Sequence, residues 1–411
     1  MDVTCRASRL PRVPAPDPAA SAAPAASATT PAPDVHPDPV PVMFVSSHAQ
    51  LGGGEGYLRS IVEGLGAPWL AEIVSLHDGP FVARLREGGH TVTVVPSSGR
   101  TSVLSAARRL RARIRDSRPA VIHANGVKAA LVAVLATLPG GPPVIWLKYD
   151  FGWDGLLARA VVRRCRMVVG ISAAVNETFG PREARRARVV YAGIPDYPTE
   201  RERGQQLLRQ EFDGKDPAGP VVTLSGRLCP GKGQSDLIDA APTILAAHPT
   251  AKILFLGVED SFYPDYRAQL ESQATRLGVS DAIVYSRLEG HRPGEAVAVV
   301  SACDVLVQPS RLQERGGWKE GFGLAVVEAM HVGTPVVAYA NGALPEVVGD
   351  CGLVVPEGDH VALGQAVSRI LEDDALRERC IAGGRARSRE RFQLRRVVRE
   401  MAACYREAAA R

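Results

Sequence analysis

The sequence predicts an α/β protein with two Rossmann-like domains in tandem, each built on a parallel sheet with helices on both faces. Three observations support this fold class. The chain has 411 residues, more than one hydrophobic core usually organises. Short apolar, β-branched runs alternate with helical patterns, as in βαβ units. This alternation stops in a charged segment near residues 198–219, the predicted interdomain linker, and then restarts.

The N-terminal residues 1–40 are rich in Pro, Ala, Ser and Thr and carry few aliphatic side chains. We therefore predict a disordered extension that catalysis does not need. No apolar stretch follows the first arginines, and no window of the chain approaches about eighteen consecutive apolar residues. The sequence thus predicts a cytoplasmic protein, with the inner face of the membrane as the alternative location.

The first domain is predicted over residues 41–200. Its expected strands are VMFVSS, EIVSL, TVTVV, AVIHA, PVIWLKY, MVVGIS and RVVYAG. Helical patterns lie between them in YLRSIVEGL, FVARLREGG, SVLSAARRLRARIRD and VKAALVAVLATL. Parallel strands need such crossovers, so the two patterns support each other.

The second domain is predicted over residues 218–391. Its strands are VVTLSGR, KILFLGV, AIVYSRL, VLVQPS, PVVAYA and GLVVP. Its helices are QSDLIDAAPTILAAH, YPDYRAQLESQATRLG, PGEAVAVVSAC, LAVVEAMHVG and HVALGQAVSRILEDD. Residues 392–411 form a final Arg-rich helical pattern.

The number and spacing of the cysteines and the distribution of charge limit the kinds of site and partner that the chain can have. The seven cysteines are odd in number and scattered, which argues against a disulfide framework and a zinc site and favours buried thiols. Residues 41–200 carry 20 Lys and Arg against 12 Asp and Glu, whereas residues 201–411 carry 26 against 28. The first half is therefore expected to meet an anionic partner, unless the excess reflects only an Arg-rich composition. No nucleic-acid partner is predicted.

The first candidate site follows a strand of the second domain in VVTLSGRLCPGKG. Ligands of open α/β sheets bind at the carboxyl ends of the strands. Gly226 and Arg227 end the strand, and Lys232 stands just before a helix. A guanidinium fork and a mobile ammonium group suit a diphosphate, although an ordinary solvated loop is the alternative.

The second candidate site is EGFGLAVVEAM, in which Glu320 and Glu328 flank a helix start. The N–H groups of Gly323, Leu324 and Ala325 and the helix dipole favour an anion. A carboxylate inside the first turns suits the hydroxyls of a ribose, and one in the loop suits those of a sugar. Two surface glutamates are the alternative interpretation.

The first domain offers polar groups at equivalent positions. Its first strand is followed by glycines that let a backbone approach a ligand, among them Gly53 and Gly54, but they lack the spacing of a dinucleotide motif. Polar groups also stand at later strand ends, where a second substrate, the acceptor of a transferred group, could bind. These acceptor-side candidates are His123, Asn125, Lys148, Tyr149, Asp150 and, from the second domain, Trp318. A structural role is the favoured alternative for His123.

An arginine-rich face is expected on the helix SAARRLRARIRDSRP, which includes Arg108, Arg109 and Arg111. A solvated face is the simpler interpretation. Weak contact with an anionic membrane or an anionic acceptor is the alternative.

Taken in order, the motifs LGGGE, SGRLCPGKG, EGFGLAVVEAM and GTPVVAYANGALPEVV resemble those of the retaining glycosyltransferases of family 4. The resemblance runs from about residue 42 to the C-terminus. It implies the GT-B fold, with two facing Rossmann-like domains and a last helix that returns to the first domain. The chain departs from many relatives at Tyr149-Asp150, where they carry His-Asp, and at Ala343, where they carry glycine.

The resemblance also implies roles for these residues. Arg227 and Lys232 would bind the donor diphosphate, Glu328 the ribose and Glu320 the transferred sugar, while Gly53 and Gly54 would contact the phosphates from the opposite domain. A hexose would move from a nucleoside diphosphate sugar, with uridine expected from family frequency, to an acceptor hydroxyl, without a metal or cofactor.

Other functions remain as alternatives. A sugar-nucleotide epimerase of the same fold would need no acceptor, an NAD-dependent oxidoreductase would leave the second domain unexplained, and a non-catalytic binding protein would not need every donor-site residue type. The Arg-, Ala- and Pro-rich composition resembles actinobacterial proteins. We expect a small soluble acceptor, with a cell-envelope glycolipid or polysaccharide as the alternative.

Overall fold

The computed structural model describes residues 38–50, 52–97, 102–152, 155–198, 201–286, 294–312 and 319–410. Most of the predicted disordered extension, residues 1–37, lies outside these ranges. The described chain contains two sheets, and every strand pair in them is parallel. Helices connect successive strands, so the predicted α/β fold with two Rossmann-like sheets is confirmed.

The first sheet has seven strands in the spatial order β3-β2-β1-β4-β5-β6-β7. Its strands are β1 Val42–Ser46, β2 Leu70–Ser75, β3 Val92–Val94, β4 Val121–Asn125, β5 Val144–Lys148, β6 Met167–Gly170 and β7 Ala187–Val189. Its helices are α1 Gly53–Leu65, α2 Pro80–Glu87, α3 Ser102–Ser117, α4 Val127–Ala136, α5 Leu156–Arg164, α6 Ala173–Asn176 and α7 Pro181–Ala184. The central strands are buried along their whole length, as their continuous apolar runs require.

A helix, α8 Arg201–Glu211, separates the two sheets in the chain. The high charge of this segment predicts a linker rather than a packed helix. The helix nevertheless packs against α11 Glu295–Ala302 through the buried Leu207 and Leu208. A Cβ atom on Gly204 would lie 2.1 Å from the Ala298 carbonyl oxygen, so glycine permits this close contact. Three residues therefore anchor a helix that composition alone did not reveal.

The second sheet has six strands in the order β10-β9-β8-β11-β12-β13. These are β8 Val221–Ser225, β9 Lys252–Leu256, β10 Ile283–Tyr285, β11 Val305–Gln308, β12 Val336–Tyr339 and β13 Leu353–Val355. Its remaining helices are α9 Gln234–Ala247, α10 Tyr266–Arg276, α12 Leu324–Val332, α13 Leu344–Val348, α14 His360–Glu372 and α15 Asp374–Arg391. Neither α13 nor α15 was predicted.

The last helix, α16 Leu394–Ala409, packs on the first sheet rather than the second. It lies against α1 and reaches β4 and β5. Val397, Val398 and Met401 form part of its buried face, and Tyr405 is fully buried. Gly64 of α1 allows this approach, since a Cβ atom there would lie 2.5 Å from Val398. The last helix thus packs on the first domain, as the resemblance implies.

Strand order determines where a ligand can bind. In the first sheet the order reverses between β1 and β4, and in the second between β8 and β11. Crevices open at such reversals, outside the carboxyl ends of the strands. Residues 52–54, called the glycine loop below, follow β1. The loop with Arg227 and Lys232 follows β8, and Glu320 lies beyond β11. The fold therefore assembles the predicted site from loops distant in sequence.

Two further properties concern the helices and the cysteines of the described ranges. None of these helices is both long and apolar enough to span a bilayer. The six cysteines in the described ranges are buried free thiols: Cys165, Cys229, Cys303, Cys351, Cys380 and Cys404.

Candidate active site

A cleft of about 290 Å³ lies between the carboxyl ends of the two sheets. From the first sheet it is lined by Gly53, Gly54, Tyr57, Tyr149, Ile171 and Ala192. From the second it is lined by Ser225, Gly226, Lys232, Gln308, Glu320, Phe322, Gly323, Leu324, Ala325 and Glu328. The structure therefore brings together every candidate donor-side residue except Arg227, which stands beside the cleft.

The Lys232 side chain is placed by the turn that follows β8. A 3₁₀ turn, Pro230–Lys232, ends at Gly233, whose φ of +78° favours glycine. A Cβ atom on Gly233 would lie 1.9 Å from the Pro309 carbonyl oxygen, so glycine also permits the β11 loop to approach. This contact sets Lys232 beside the residues that follow β11.

Glu320 is the most restrained carboxylate in the cleft. Its Oε2 accepts hydrogen bonds from Lys232 Nζ at 2.8 Å and from Ser310 Oγ at 2.9 Å. Its backbone N–H donates to Asn341 Oδ1 at 2.9 Å, and its carbonyl accepts from the Ala343 N–H at 2.9 Å. The residue is only 8% exposed. Glu320 is thus a fixed, ion-paired group, which spacing alone did not show.

Helix α12 directs its amino end into the cleft. Gly323 precedes it with a φ of +90°, and no side chain caps the helix. A Cβ atom on Gly323 would lie 2.7 Å from Leu344, which adds a steric reason for glycine. The N–H groups of Leu324 and Ala325 belong to the first turn, where helices leave donors without intrahelical partners. Together with the helix dipole, they favour an anion in the cleft.

Glu328 lies one turn further along α12 and is half-buried. Its Oε1 accepts a hydrogen bond from the Tyr197 hydroxyl at 3.4 Å. Burial raises the pKa of Glu328 to about 7, and the bond from Tyr197 offsets part of that rise. The carboxyl group therefore titrates close to neutral pH.

Arg227 projects beside the cleft with its side chain 48% exposed. Its guanidinium bonds the buried Asp260 carboxylate, and its carbonyl accepts from Gln234 Nε2 at 2.9 Å. Asp260 follows β9, a strand end for which the sequence predicts no site residue. Arg227 also faces Glu55 of the first domain: burial raises the pKa of Glu55, and the charges of His48 and Arg227 offset part of that rise.

The glycine loop of the first domain rests on two of the predicted acceptor-side residues. The Tyr149 ring lies so close to Gly54 that a Cβ atom there would be 3.2 Å from it. Asn125 is fully buried beneath the loop and donates from Nδ2 to the Gly54 carbonyl at 3.5 Å. Gly53 faces open space. Tyr149 thus lines the cleft, whereas Asn125 supports the loop from below.

Two other candidates on this side do not reach the cleft. His123 is fully buried, and its Nδ1 lies 2.7 Å from the Tyr405 hydroxyl of α16. Burial lowers its pKa to about 3. Because residues on a strand alternate between its faces, His123 points into the layer that α16 covers. His123 is thus buried against the last helix and does not line the cleft, which agrees with the favoured structural interpretation.

Lys148 is also buried and serves the loop after β5. Its Nζ donates to the Asp150 carbonyl and, at 3.3 Å, to the Gly152 carbonyl. It lies 3.6 Å from the Asp150 carboxylate. Lys148 thus bonds the loop after β5 and is not among the residues that line the cleft. Trp318 lies outside the described residues.

Four arginines of α3 are exposed, in agreement with a solvated face: Arg108, Arg109, Arg111 and Arg115. Arg113 is half-buried and pairs with Glu72 at 2.8 Å. Arg108 and Arg109 face solvent, while Arg111 bonds the Leu138 carbonyl. Leu110 on the same helix is buried.

The two domains contact each other next to the cleft, through a loop and two helix starts rather than through their strands. The Ser172 hydroxyl donates to the Gly321 carbonyl at 2.9 Å. The Glu346 carboxylate of α13 accepts from the N–H groups of Ala173, at 2.8 Å, and Ala174, at 3.1 Å. Ser172 caps α6 locally by accepting from the Val175 N–H. The contacts with Gly321 and Glu346 were not predicted, because no local pattern marks a bond to a group in the other domain.

Comparison with known proteins gives two family matches. Residues 208–387 match the model of glycosyl transferases group 1, and residues 52–194 match that of the glycosyl transferase 4-like domain. A GDP-mannose-dependent alpha-(1-6)-phosphatidylinositol monomannoside mannosyltransferase of Mycobacterium tuberculosis is 30% identical, over 62% of this chain and 67% of that protein. A 2-deoxystreptamine N-acetyl-D-glucosaminyltransferase of Streptomyces fradiae is 30% identical, over 68% of this chain and 69% of that protein.

A further relative, a GDP-mannose-dependent monoacylated alpha-(1-6)-phosphatidylinositol monomannoside mannosyltransferase of Corynebacterium glutamicum, is 34% identical over 41% of this chain. That match spans 42% of the relative's own length. Among solved structures, Anabaena HepE in complex with UDP superposes with a TM-score of 0.74 at 23% identity, covering 89% of this chain and all of that one. A Rickettsia africae glycosyltransferase superposes with a TM-score of 0.76 at 16% identity, covering 90% and 99%. These structural likenesses establish the fold.

Proposed function

Because the chain belongs to the glycosyl transferases group 1 family and is a glycosyltransferase, we propose that it moves a hexose from a nucleoside diphosphate sugar to a hydroxyl of a small metabolite. We further propose that the anomeric configuration is retained and that the donor is a UDP-sugar. The names of several relatives include GDP-mannose, so a GDP-sugar is the alternative donor.

One observation carries the proposal. Lys232 and the uncapped amino end of α12 face the same cleft as two carboxylates, Glu320 and Glu328. Cationic and amide donors at one place suit a diphosphate, and carboxylates beside it suit sugar and ribose hydroxyls. A site that bound only phosphate would not need two carboxylates, Glu320 and Glu328, beside its cationic and amide donors.

The donor-side residues then have distinct roles. Lys232, Arg227 and the amides of Leu324 and Ala325 stabilise the diphosphate and the charge that it gains on leaving. Glu328 accepts hydrogen bonds from the ribose hydroxyls. The backbone of Gly53 faces open space in the cleft and approaches the diphosphate from the first domain.

Glu320 has two partners in this mechanism. It positions Lys232 through their ion pair and accepts a hydrogen bond from a hydroxyl of the transferred hexose. Its backbone bonds to Asn341 and Ala343 hold it at the helix start while the donor binds. Transfer of the hexose requires the reacting groups to be held in a fixed relative position, and buried hydrogen-bond partners provide this.

Transfer proceeds on the face from which the diphosphate leaves. The bond between the anomeric carbon and the phosphate oxygen breaks as the acceptor oxygen bonds to the same carbon. The acceptor proton passes to the departing phosphate oxygen, so the products are a glycoside and a nucleoside diphosphate. Neither glutamate acts as a covalent nucleophile, and the protein's cations take the place of a metal ion.

A glycolipid acceptor is the second candidate. The names of two relatives describe transfer to phosphatidylinositol mannosides, whereas that of the Streptomyces relative describes transfer to 2-deoxystreptamine, a small molecule. The exposed Arg108 and Arg109 would then lie near an anionic membrane surface. Anionic vesicles that raise the transfer rate would favour this candidate.

A donor panel tests the proposal. UDP-, GDP- and ADP-sugars are compared by thermal stabilisation and by release of nucleoside diphosphate, with and without EDTA. We expect one donor class to stabilise the protein and to be turned over equally well with EDTA. Absence of stabilisation and turnover with all donors would refute the assignment. Conversion of a sugar nucleotide to its epimer without acceptor would replace it with an epimerase.

A further inference from the structure

A second group of basic side chains lies at the carboxyl edge of the first sheet, outside the donor cleft. Lys128 Nζ lies 3.0 Å from His77 Nε2 and also donates to the Ser97 carbonyl. These residues follow β2, β3 and β4, and His48 follows β1. Loops from four adjacent strands thus converge where ligands of such sheets bind.

The positive charge of Lys128 has no carboxylate to balance it. Within the described residues, none lies within ion-pair distance of its Nζ, whose neighbours are a neutral carbonyl and an imidazole. Burial lowers the pKa of Lys128. Burial, followed by the charges of Lys128 and His48, lowers the pKa of His77. An anion bound here would compensate both groups, because a nearby negative charge favours their protonated forms.

The basic group is connected to the donor cleft through Gly126, which begins the turn into α4. A Cβ atom on Gly126 would lie 2.7 Å from the Tyr149 hydroxyl and 2.9 Å from Ser47 Oγ. Tyr149 lines the cleft, and Ser47 Oγ accepts from the Ala129 N–H at 2.9 Å, next to Lys128. A molecule that reaches from Lys128 past Tyr149 therefore enters the cleft from the first domain.

We propose that Lys128 and His77 bind a phosphate group of the acceptor, so that the acceptor is a phosphorylated polyol. This inference rests on the proposed function, since it concerns the second substrate of the same cleft. Lys128 supplies the charge, and His77 supplies a ring N–H when it is protonated. The group carrying the phosphate is either a free phosphate monoester or a lipid head group, and both present the same chemistry to Lys128.

The first test is a titration of glycerol 3-phosphate into the protein saturated with the nucleoside diphosphate product, so that the donor site is filled. We expect binding that weakens as salt concentration rises. Lys128→Gln should weaken it about tenfold or more, because a charge-assisted hydrogen bond is lost, whereas Lys128→Arg should retain most of it. His77→Asn gives an independent variant that keeps Lys128.

Two further variants make the result decisive. Lys252→Gln, a surface lysine bonded to the Asp281 carbonyl, is the matched control and should bind normally. Lys232→Ala reports on the donor site. If glycerol 3-phosphate binding survives Lys128→Gln and His77→Asn, or is lost only with Lys232→Ala, the proposal is wrong while the donor assignment stands. Unchanged nucleoside diphosphate binding shows that the Lys128, His77 and Lys252 variants are folded, and an unchanged far-UV circular dichroism spectrum shows it for Lys232→Ala.

Vesicles distinguish the two sources of phosphate. Vesicles of phosphatidylcholine with phosphatidylglycerol are compared with phosphatidylcholine alone by co-sedimentation. Binding to the anionic vesicles that Lys128→Gln weakens assigns the site to a lipid head group. Soluble glycerol 3-phosphate binding without such vesicle binding assigns it to a free phosphate monoester. If Lys128→Gln weakens neither vesicle binding nor glycerol 3-phosphate binding, the proposal is overturned.

Discussion

Lys232 Nζ lies 2.8 Å from Glu320 Oε2, so the lysine assigned to the donor diphosphate is already paired with a carboxylate. The two side chains are 18% and 10% exposed, which strengthens their attraction relative to a surface pair. A diphosphate entering the cleft must therefore share Lys232 with Glu320. The pair lowers the cost of burying a free ammonium group before the donor arrives.

The first prediction concerns this pair. Glu320→Gln removes the competing charge but keeps an oxygen for Ser310, so nucleoside diphosphate should bind as tightly as to the wild type or more tightly. Turnover should fall tenfold or more, because Lys232 and the sugar lose their positioning partner. Calorimetric titration and initial rates measure the two effects. Weaker nucleotide binding with normal kcat would contradict this role.

The second prediction concerns pH. The pKa of Glu328 is raised to about 7 by burial, so its carboxylate, the form that we propose accepts two ribose hydroxyls, is populated above that pH. Affinity for nucleoside diphosphate should increase from pH 6 to pH 8. The phosphate itself ionises in part over this interval, so the informative quantity is the difference from Glu328→Gln.

In Glu328→Gln the part of the pH dependence that comes from the carboxyl group should disappear. A 2′-deoxy nucleoside diphosphate provides the control from the ligand side, because it lacks one of the two hydroxyls. Identical pH profiles for the wild type and Glu328→Gln would exclude Glu328 as the ribose contact.

The third prediction concerns the contact between the two domains at Glu346. Its carboxylate accepts from the Ala173 and Ala174 N–H groups of the first domain. Glu346→Ala should lower kcat/KM, because the two halves of the cleft are held less firmly, and should lower the free energy of unfolding by about 1–3 kcal/mol.

Asp359→Ala is the matched control, because Asp359 accepts from the Ala362 N–H at the start of α14, within one domain. It should cost about 1 kcal/mol of stability with no effect on kcat/KM. If both variants reduce kcat/KM equally, the effect of Glu346 is not one of domain contact.

The fourth prediction concerns His123 and Tyr405. Tyr405→Phe leaves the buried His123 Nδ1 without its partner and should cost about 1–3 kcal/mol of stability, with kcat/KM unchanged. Because the His123 pKa falls to about 3 when the protein folds, the unfolded state binds the extra proton. Its contribution to stability is therefore complete above about pH 6.5 and decreases as pH falls towards 3.

Chemical unfolding at pH 7 and pH 5 measures this effect. His123→Gln should lose less stability between these values than the wild type does. A large fall in kcat/KM with normal stability would restore His123 to the acceptor site.

The sequence predicted the sheets because buried parallel strands are short, continuous apolar runs, a pattern that few other elements show. It predicted Lys232, Glu320 and Glu328 because ligand groups follow strand ends, which a sequence shows directly. It did not reveal Asp260 or Glu346, whose partners lie far away in the chain. Such pairings depend on loop shape and on domain contact, and no local pattern encodes them.

His123 illustrates a different limit. It is the middle residue of β4, from which a polar side chain can extend towards either the ligand edge or a covered face. Only the position of α16, which returns from the end of the chain, makes the second outcome true. Helix α8 was missed for a related reason, since Leu207, Leu208 and the small Gly204 matter only once α11 is beside them.

The most direct test of the donor site is nucleoside diphosphate release from the preferred sugar donor by Arg227→Ala and Lys232→Ala. Arg267→Ala and Lys252→Ala serve as controls, since these cations bond elsewhere on the same domain. The proposed mechanism predicts losses on the order of 10² or more for the first two variants and near-normal rates for the controls. Near-normal release by both Arg227→Ala and Lys232→Ala would contradict it.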